Sequence, residues 1–310
     1  MNASESVDHL KSPAVPDEPF FNHYNLKMLL IAIFLLLLKE YNCHLILHGN
    51  TSFEVNRLCS KGIVNGGAVP TYYDWRDQKM VSPVKNQLGC KASWAFSTAA
   101  CLESHLKIYL GAEEILSEQF LLDCDDTNTG CAYASLYQAY SQIVNVHSGV
   151  LREKDYFAYV HEPMECRWDG PNSAAPKGLS WEFERNRPKP VRVYDFHIVH
   201  NADEDDMIQL LYKKGPLSAE INAASMVNYK GGIDEPTEES CDPKAVNHSV
   251  LIVGYNVYKS KSGGRTVPYW IIKNSWGAEW GDNGYYYLVR GRNACGIGTT
   301  IGFGDVEENQ

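Results

Sequence analysis

The sequence predicts an α+β fold, in which a helical part precedes a part rich in β-strands. An apolar repeat with a period of 3.6 residues predicts a helix that begins at Ser93 and ends at a C-cap, Gly111. Segments rich in β-branched and aromatic residues predict strands at residues 250–257, 269–273 and 285–290. With 310 residues and 44% hydrophobic content, the chain can bury a full core in one large domain or in two lobes.

The start of the predicted central helix is a candidate catalytic position. Ser93 lies in the first turn of this helix, directly after a glycine-containing loop. The N-terminus of a helix is the positive end of its macrodipole and favours an anion. A thiolate nucleophile gains most from this position, because the pKa of a thiol falls there. The residue in this sequence is a serine.

Charge and composition exclude some classes of function. The net charge of −10 and the pI near 5.5 argue against nucleic-acid binding, for which a basic patch is expected. The acidic cluster at residues 203–206 precedes an apolar run, so we expect it to stabilise a helix start rather than to form a binding site. The cysteines and histidines show no zinc-ligand spacing, so we expect no metal and no cofactor.

The N-terminal region predicts entry into the secretory pathway. Residues 28–38 are eleven uninterrupted apolar residues, which are too few to span a bilayer but suit the h-region of a signal peptide. We therefore expect no stable membrane span and an extracellular or lysosomal location. Translation starts at either Met1 or Met28, and an uncleaved anchor is the alternative to cleavage. Asn50 is in a glycosylation sequon.

Several ordered motifs resemble one known family. The segment Cys90-Lys91-Ala92-Ser93-Trp94 matches the papain/cathepsin signature Cys-Gly-[Ser/Ala]-Cys-[Trp/Tyr], with serine in place of the nucleophilic cysteine. Further blocks follow in the family's order, at residues 73–76, 83–87, 116–119, 246–255 and 269–277. The chain therefore resembles a papain-family cysteine peptidase of the cathepsin L type over about residues 68–310.

The resemblance implies a two-lobed fold, with a helical left lobe, a β-barrel-like right lobe and a cleft between them. Ser93 would lie on one wall and His248 on the other. By resemblance, His248 is the catalytic imidazole, Asn274 orients it, and Trp276 shields their hydrogen bond. Gln87 matches the side-chain donor of the oxyanion hole. A peptide or protein ligand would bind in the cleft of a monomer.

The domain boundaries follow from the apolar run near the N-terminus and from the extent of the family resemblance. Residues 1–27 are interpreted as an N-terminal extension, and residues 28–42 as the signal-peptide h-region and its flank. Residues 43–67 form a short propeptide-like segment, and residues 68–310 the papain-like peptidase domain. Family propeptides are usually longer, so either the gene model is truncated or no activity needs restraint.

Nine cysteines in a secreted chain indicate a disulfide framework, whose pairing the sequence alone does not fix. The family resemblance implies three bridges, Cys90–Cys131, Cys124–Cys166 and Cys241–Cys295. Cys101 lies two turns inside the central helix and is expected to be a buried, inert thiol. Cys43 and Cys59 would pair with each other if Cys43 is retained after processing.

The residues around Ser93 depart from the family pattern. A hydroxyl is a far weaker acid than a thiol, and Asn274 is neutral where serine enzymes use a carboxylate. Lys91 replaces a glycine, and Tyr133 and Ala134 replace two more, where a substrate backbone must approach closely. These changes favour a pseudoprotease that binds a peptide or protein. The alternatives are a hydrolase that uses Ser93 with His248 and Asn274, or an ordinary cysteine endopeptidase whose sequence is in error at position 93.

Overall fold

The computed structural model describes residues 43–48, 55–59, 68–127, 130–168, 188–261 and 263–307. The predicted N-terminal extension, the signal segment at residues 28–42 and the sequon at Asn50 lie outside the described residues. Within those ranges, no helix is both long and apolar enough to cross a membrane.

The central helix α1 spans Ser93–Leu110 and is buried on all sides along its first three-quarters. It packs against strands of the sheet and against two shorter helices, Glu118–Cys124 and Leu136–Gln142. Such burial agrees with a helix that has small or apolar residues around its whole circumference. The helix ends at Gly111, whose φ of 64° is left-handed and therefore favours glycine. The predicted helix and its C-cap are confirmed.

The described residues contain three shorter α-helices as well. Helix α2, Glu118–Cys124, is capped by Ser117, whose Oγ accepts a hydrogen bond from the Phe120 backbone N–H at 3.0 Å. Helix α3 is Leu136–Gln142, and helix α4 is Glu204–Lys214. Helix α4 begins with three acidic residues and ends with two lysines, which complements its macrodipole. The predicted role of the acidic cluster as a helix start is confirmed.

The described strands are β1 Cys43–His48, β2 Val55–Cys59, β3 Tyr73–Asp74, β4 Gly149–Val150, β5 Val191–His200, β6 Leu217–Ile221, β7 Ile233–Asp234, β8 His248–Lys259, β9 Thr266–Lys273, β10 Tyr285–Val289 and β11 Thr300–Val306. They form one mixed sheet with the order β2-β1-β5-β11-β6-β8-β9-β10-β7, in which β3 adds to β8 and β4 adds to β5. Among these described strands, only β7 and β10 pair in parallel. The strands predicted from the sequence correspond to β8, β9 and β10.

The buried apolar side chains form two separate clusters. One lies among the helices and is built around Trp94, Phe120 and Tyr140. The other lies on the sheet and is built around Tyr255 and Trp270. Each lobe therefore has its own core, and the predicted α+β fold with two lobes is confirmed.

The three disulfides that the family resemblance implied are present, namely Cys90–Cys131, Cys124–Cys166 and Cys241–Cys295. Cys101 is a buried free thiol in α1, as expected. The backbone register of β1 and β2 sets Cys43 directly opposite Cys59. A bridge between these two residues stays a prediction.

Candidate active site

Ser93 is the first residue of α1 and is only 1% exposed. The preceding residue, Ala92, makes no side-chain cap, so no side chain there neutralises the amides of the first helical turn. The positive end of the helix macrodipole therefore acts directly on the Ser93 hydroxyl. The Cys90–Cys131 bridge fixes the loop that leads into this position.

The hydroxyl of Ser93 also contacts the opposite lobe. Its Oγ accepts a hydrogen bond from the backbone N–H of Ser249 at 3.1 Å. One turn further along α1, the Ser97 hydroxyl donates to the carbonyl of Val250 at 2.7 Å. Because Ser249 follows His248 on β8, these bonds bring the start of α1 beside the strand that carries the predicted base.

His248 and Asn274 form the polar pair that was predicted from the sequence. His248 begins β8, and Asn274 follows the last residue of the neighbouring strand β9, so strand pairing sets them side by side. His248 Nε2 lies 2.8 Å from Asn274 Oδ1, and the two residues are 5% and 3% exposed. Since Oδ1 is an acceptor, Nε2 carries the proton, and the lone pair of a neutral ring lies on Nδ1.

Aromatic rings cover this pair. The Trp276 ring lies against the His248 imidazole, with 4.9 Å between ring centroids and 42° between ring planes. Trp280 packs edge-on against Trp276 at 5.0 Å. The rings shield the hydrogen bond between His248 and Asn274 from water. Trp276 therefore lies where the family resemblance implied.

Burial lowers the pKa of His248 from 6.5 to about 4, and the hydrogen bond with Asn274 offsets only part of this effect. Removing an imidazolium from water without a nearby anion disfavours the charged form. The ring is therefore neutral at physiological pH. Its Nδ1 is available to accept a proton, but with low affinity.

Gln87 lies on the other side of Ser93, in the loop before α1. Its Nε2 donates to the carbonyl of Cys90 at 2.7 Å, and its Oε1 accepts from the Ser275 hydroxyl at 2.6 Å. Its backbone N–H also donates to the Ser275 carbonyl at 2.8 Å. A glutamine amide has two protons, so one proton on Nε2 remains for an oxyanion.

The residues that replace the family's glycines line the same region. Lys91 is exposed, and its backbone N–H donates to the carbonyl of Cys131 at 3.1 Å. Tyr133 is half-buried, and its pKa is raised by burial and by the neighbouring Glu220 carboxylate. Ala134 is buried. These three positions thus carry side chains where the family pattern has glycines.

Comparison with known proteins identifies the family. The family model for the papain family cysteine proteases matches residues 69–304 of this chain. The chain belongs to the papain family. It is 36% identical to cathepsin F of Drosophila melanogaster over 74% of this chain and 35% of that protein. It is 34% identical to the viral cathepsin of Heliothis zea nuclear polyhedrosis virus over 84% of this chain and 66% of that protein. The chain thus spans between one third and two thirds of the length of these relatives.

Solved structures of papain-family proteins agree with the fold. The digestive procathepsin L2 proteinase from Tenebrio molitor larval midgut is 31% identical, with a TM-score of 0.64 over 78% of this chain and 70% of that one. The bromelain protease from Ananas comosus, in complex with the E64 inhibitor, is 31% identical, with a TM-score of 0.63 over 77% of this chain and 100% of that one. Both structures therefore share the fold of more than three quarters of this chain.

A buried charge cluster lies behind the site of this papain-family chain, and the sequence reasoning missed it. Lys85 Nζ is 2.9 Å from Glu103 Oε1 and 2.6 Å from Glu118 Oε1. Lys273 Nζ donates to the Ser82 hydroxyl at 3.0 Å, and that hydroxyl donates to Glu103. The cluster joins α1 and α2 to the end of β9, next to Asn274.

The pKa values of the cluster reflect its burial. Burial alone would lower the pKa of Lys85, but Glu103 and Glu118 raise it overall. Burial and the proximity of Glu103 raise the pKa of Glu118 to about 7, against the opposing effect of Lys85. Burial lowers the pKa of Lys273 to about 8. The buried charges of the two lobes are thus balanced within one cluster, because Glu103 and Glu118 come from the helices and Lys273 comes from the sheet.

Three further residues of the site were not predicted. Ser249 and Ser275 each follow a predicted residue in the sequence, and this adjacency was the only available signal. Glu220 gave no signal, because its position depends on the pairing of β6 with β8.

One group of side chains within the described ranges has the residue types of a metal site. Asp195, His197 and Asp305 bring one ligand atom each within 4.8 Å of one another. His197 Nε2 already forms a 2.8 Å hydrogen bond with Asp305 Oδ2, which gives this group a structural role on β5 and β11.

Proposed function

We propose that this papain-family chain binds a peptide or protein segment in the cleft between its lobes and has lost efficient proteolysis, because Ser93 takes the place of the nucleophilic cysteine. The observation that carries this proposal is the environment of His248. Its buried imidazole is neutral, and its partner Asn274 is neutral as well.

The chemistry of the two nucleophiles explains the loss. A cysteine at a helix N-terminus beside a histidine exists as a thiolate, so it attacks without further proton transfer. A serine must lose its proton during the attack, and the resulting imidazolium needs stabilisation by a carboxylate. In a serine triad, replacing that carboxylate by asparagine lowers kcat by about 10⁴-fold. Because Asn274 occupies the place of that carboxylate, we expect Ser93 to be a similarly poor nucleophile.

A second candidate function is a slow hydrolase that uses Ser93 as its nucleophile. The tautomer of the neutral His248 ring favours it, since Nε2 donates to Asn274 Oδ1 and leaves Nδ1 as the atom that can accept a proton. The remaining Nε2 proton of Gln87 and the uncapped amides of α1 would stabilise an oxyanion. Such an enzyme would act on activated esters more readily than on peptides.

The proposed location is the secretory pathway, with an extracellular or lysosomal destination. Three disulfides in the described residues support an oxidising compartment. The proposed state is a monomer.

An activity-based assay separates the two functions. Purified wild-type protein is treated with a fluorophosphonate probe beside Ser93→Ala, and peptide hydrolysis is measured with both proteins and with Ser93→Cys. We expect neither labelling nor turnover in wild type, and binding of peptides that survives in Ser93→Ala. Labelling of wild type at Ser93 that Ser93→Ala abolishes would establish the hydrolase instead. Resequencing the Ser93 codon tests the remaining alternative, an error in the sequence.

A further inference from the structure

Glu220 is a buried carboxylate beside the candidate site that the proposed chemistry does not use. It lies on β6, and the strand register sets it directly opposite Ser249 on β8. Ser249 is the residue whose backbone N–H holds the Ser93 hydroxyl. Glu220 is only 7% exposed. Glu220 therefore lies on the strand next to the one whose backbone is hydrogen-bonded to Ser93.

The groups around Glu220 come from the helical lobe. Its Oε1 accepts a hydrogen bond from the backbone N–H of Leu136 at 3.2 Å, at the start of α3. The phenol of Tyr133, in the loop after Cys131, is close enough for the carboxylate to raise its pKa. These are neutral donors. Among the residues that the structure describes, no lysine, arginine or histidine forms an ion pair with Glu220.

Charged side chains are almost never fully buried unless they are paired. Glu103 and Glu118 are paired with Lys85. Glu204, which is buried to a similar degree as Glu220, instead accepts two hydrogen bonds of 2.6 Å from neutral donors. A single amide donor and a phenol satisfy part of the carboxylate's hydrogen-bonding capacity but provide no positive charge. Glu220 therefore has the properties of a subsite whose cation comes from a ligand.

We propose that Glu220 forms a subsite for a lysine or arginine side chain of a peptide bound in the cleft. This inference rests on the proposed binding function and specifies its ligand. The cationic head would replace the Tyr133 phenol at the carboxylate, and Leu136 would keep its own hydrogen bond. Arginine fits well, because its planar fork pairs with a carboxylate through two parallel hydrogen bonds.

The role of Tyr133 follows from the same arrangement. In the unliganded protein its phenol lies close enough to interact with the Glu220 carboxylate, so it would compete with the incoming side chain. A phenylalanine would still cover the subsite but would no longer donate to the carboxylate. Tyr133→Phe should therefore bind a basic peptide more tightly than wild type, whereas Glu220→Gln should bind it more weakly.

Two matched peptide libraries test the subsite. Fluorescein-labelled octapeptides carry a fixed arginine or a fixed citrulline at the fourth position, with the other positions randomised, and binding to the whole protein is measured by fluorescence polarisation. Citrulline has the shape of arginine without its charge. We expect wild type to bind the arginine library about tenfold or more tightly, because a buried charge pair contributes this much or more.

The variants distinguish the possible outcomes. Glu220→Gln retains an oxygen for Leu136, so its fold is checked by thermal unfolding, and we expect it to bind both libraries equally. Glu239→Gln, at an exposed position, is the control and should retain the preference for arginine. Equal binding of both libraries by wild type, or a preference unchanged in Glu220→Gln, would overturn the subsite while the binding function stands. Binding of neither library would overturn both.

Discussion

Ser93 Oγ and the backbone nitrogen of Ser249 are 3.1 Å apart, so the first residue of the central helix is hydrogen-bonded to the residue that follows His248. This contact crosses from the helical lobe to the sheet lobe. It holds the hydroxyl as an acceptor and leaves the hydroxyl proton to be donated elsewhere. The contact thus fixes the position of the Ser93 hydroxyl relative to the strand that carries His248.

The first prediction is that Ser93→Cys restores a reactive nucleophile. The helix N-terminus should lower the pKa of the new thiol, and the thiolate would in turn favour the protonated form of His248, so alkylation by iodoacetamide should be fast and should persist at mildly acidic pH. Peptide mapping measures modification at position 93. Wild type is the control, because Cys101 is buried, six cysteines are bridged, and the mapping separates any modification of Cys43 or Cys59 from position 93. A reaction rate that follows an ordinary thiol pKa near 8.5 would contradict the expected environment.

The second prediction is that Ser93→Cys alone does not give efficient peptide turnover. Lys91, Tyr133 and Ala134 stand where the family pattern has glycines, so we expect them to displace an extended substrate, and a displacement of about 1 Å can lower the rate on the order of a hundredfold. Changing all three to glycine in the Ser93→Cys background should raise kcat/KM well above that of the single variant. Turnover is measured with dipeptidyl fluorogenic substrates. Cathepsin-like turnover by the single variant would show that the cleft had never lost its function.

The third prediction is that wild-type protein does not react with epoxysuccinyl inhibitors of cysteine proteases. Position 93 has no sulfur, and the nearby Cys90 is bridged to Cys131. Mass spectrometry of the intact protein should show no added inhibitor, and Ser93→Cys should show one equivalent. Labelling of any cleft residue in wild type would refute this expectation.

The fourth prediction concerns the dependence of stability on pH. The pKa of His248 is about 4 in the folded chain and near 6.5 when unfolded, so the unfolded chain binds more protons between these values. As the pH falls from 6.5 to 4, this residue alone should reduce the free energy of unfolding by about 3 kcal/mol. The reduction should be missing in His248→Gln when denaturant unfolding is measured at both pH values. An NMR titration that places the pKa of His248 near 6.5 in the folded protein would contradict this predicted loss of stability at low pH.

The fifth prediction is that Lys85→Met destabilises the fold by about 3–5 kcal/mol, because it leaves Glu103 and Glu118 without their shared cation. The measurement is denaturant unfolding at neutral pH. Lys91→Met is the matched control at an exposed position and should change stability by less than about 0.5 kcal/mol. A loss in Lys85→Met no larger than in this control would show that the cluster does not stabilise the protein.

The sequence alone determined the elements whose signals are local. The 3.6-residue repeat from Ser93 and the glycine at position 111 predict the central helix, because helical periodicity and a left-handed C-cap depend only on neighbouring residues. Strands β8, β9 and β10 were predictable from their β-branched and aromatic content. The ordered motifs supplied the resemblance to the family, and the resemblance in turn implied the roles of His248, Asn274 and Gln87. The three disulfide pairs were likewise implied by the resemblance, because the spacing of the cysteines alone does not fix their pairing.

The tertiary structure decided the features that depend on contacts between distant segments. The pKa of His248 depends on burial between the lobes, and the charge cluster at Lys85 depends on how α1, α2 and β9 pack. The position of Glu220 beside Ser249 depends on strand register, and a shift of one residue would have turned it to the other face of the sheet. Composition and periodicity carry no information on register or burial between lobes, because both are fixed only when the whole core is packed.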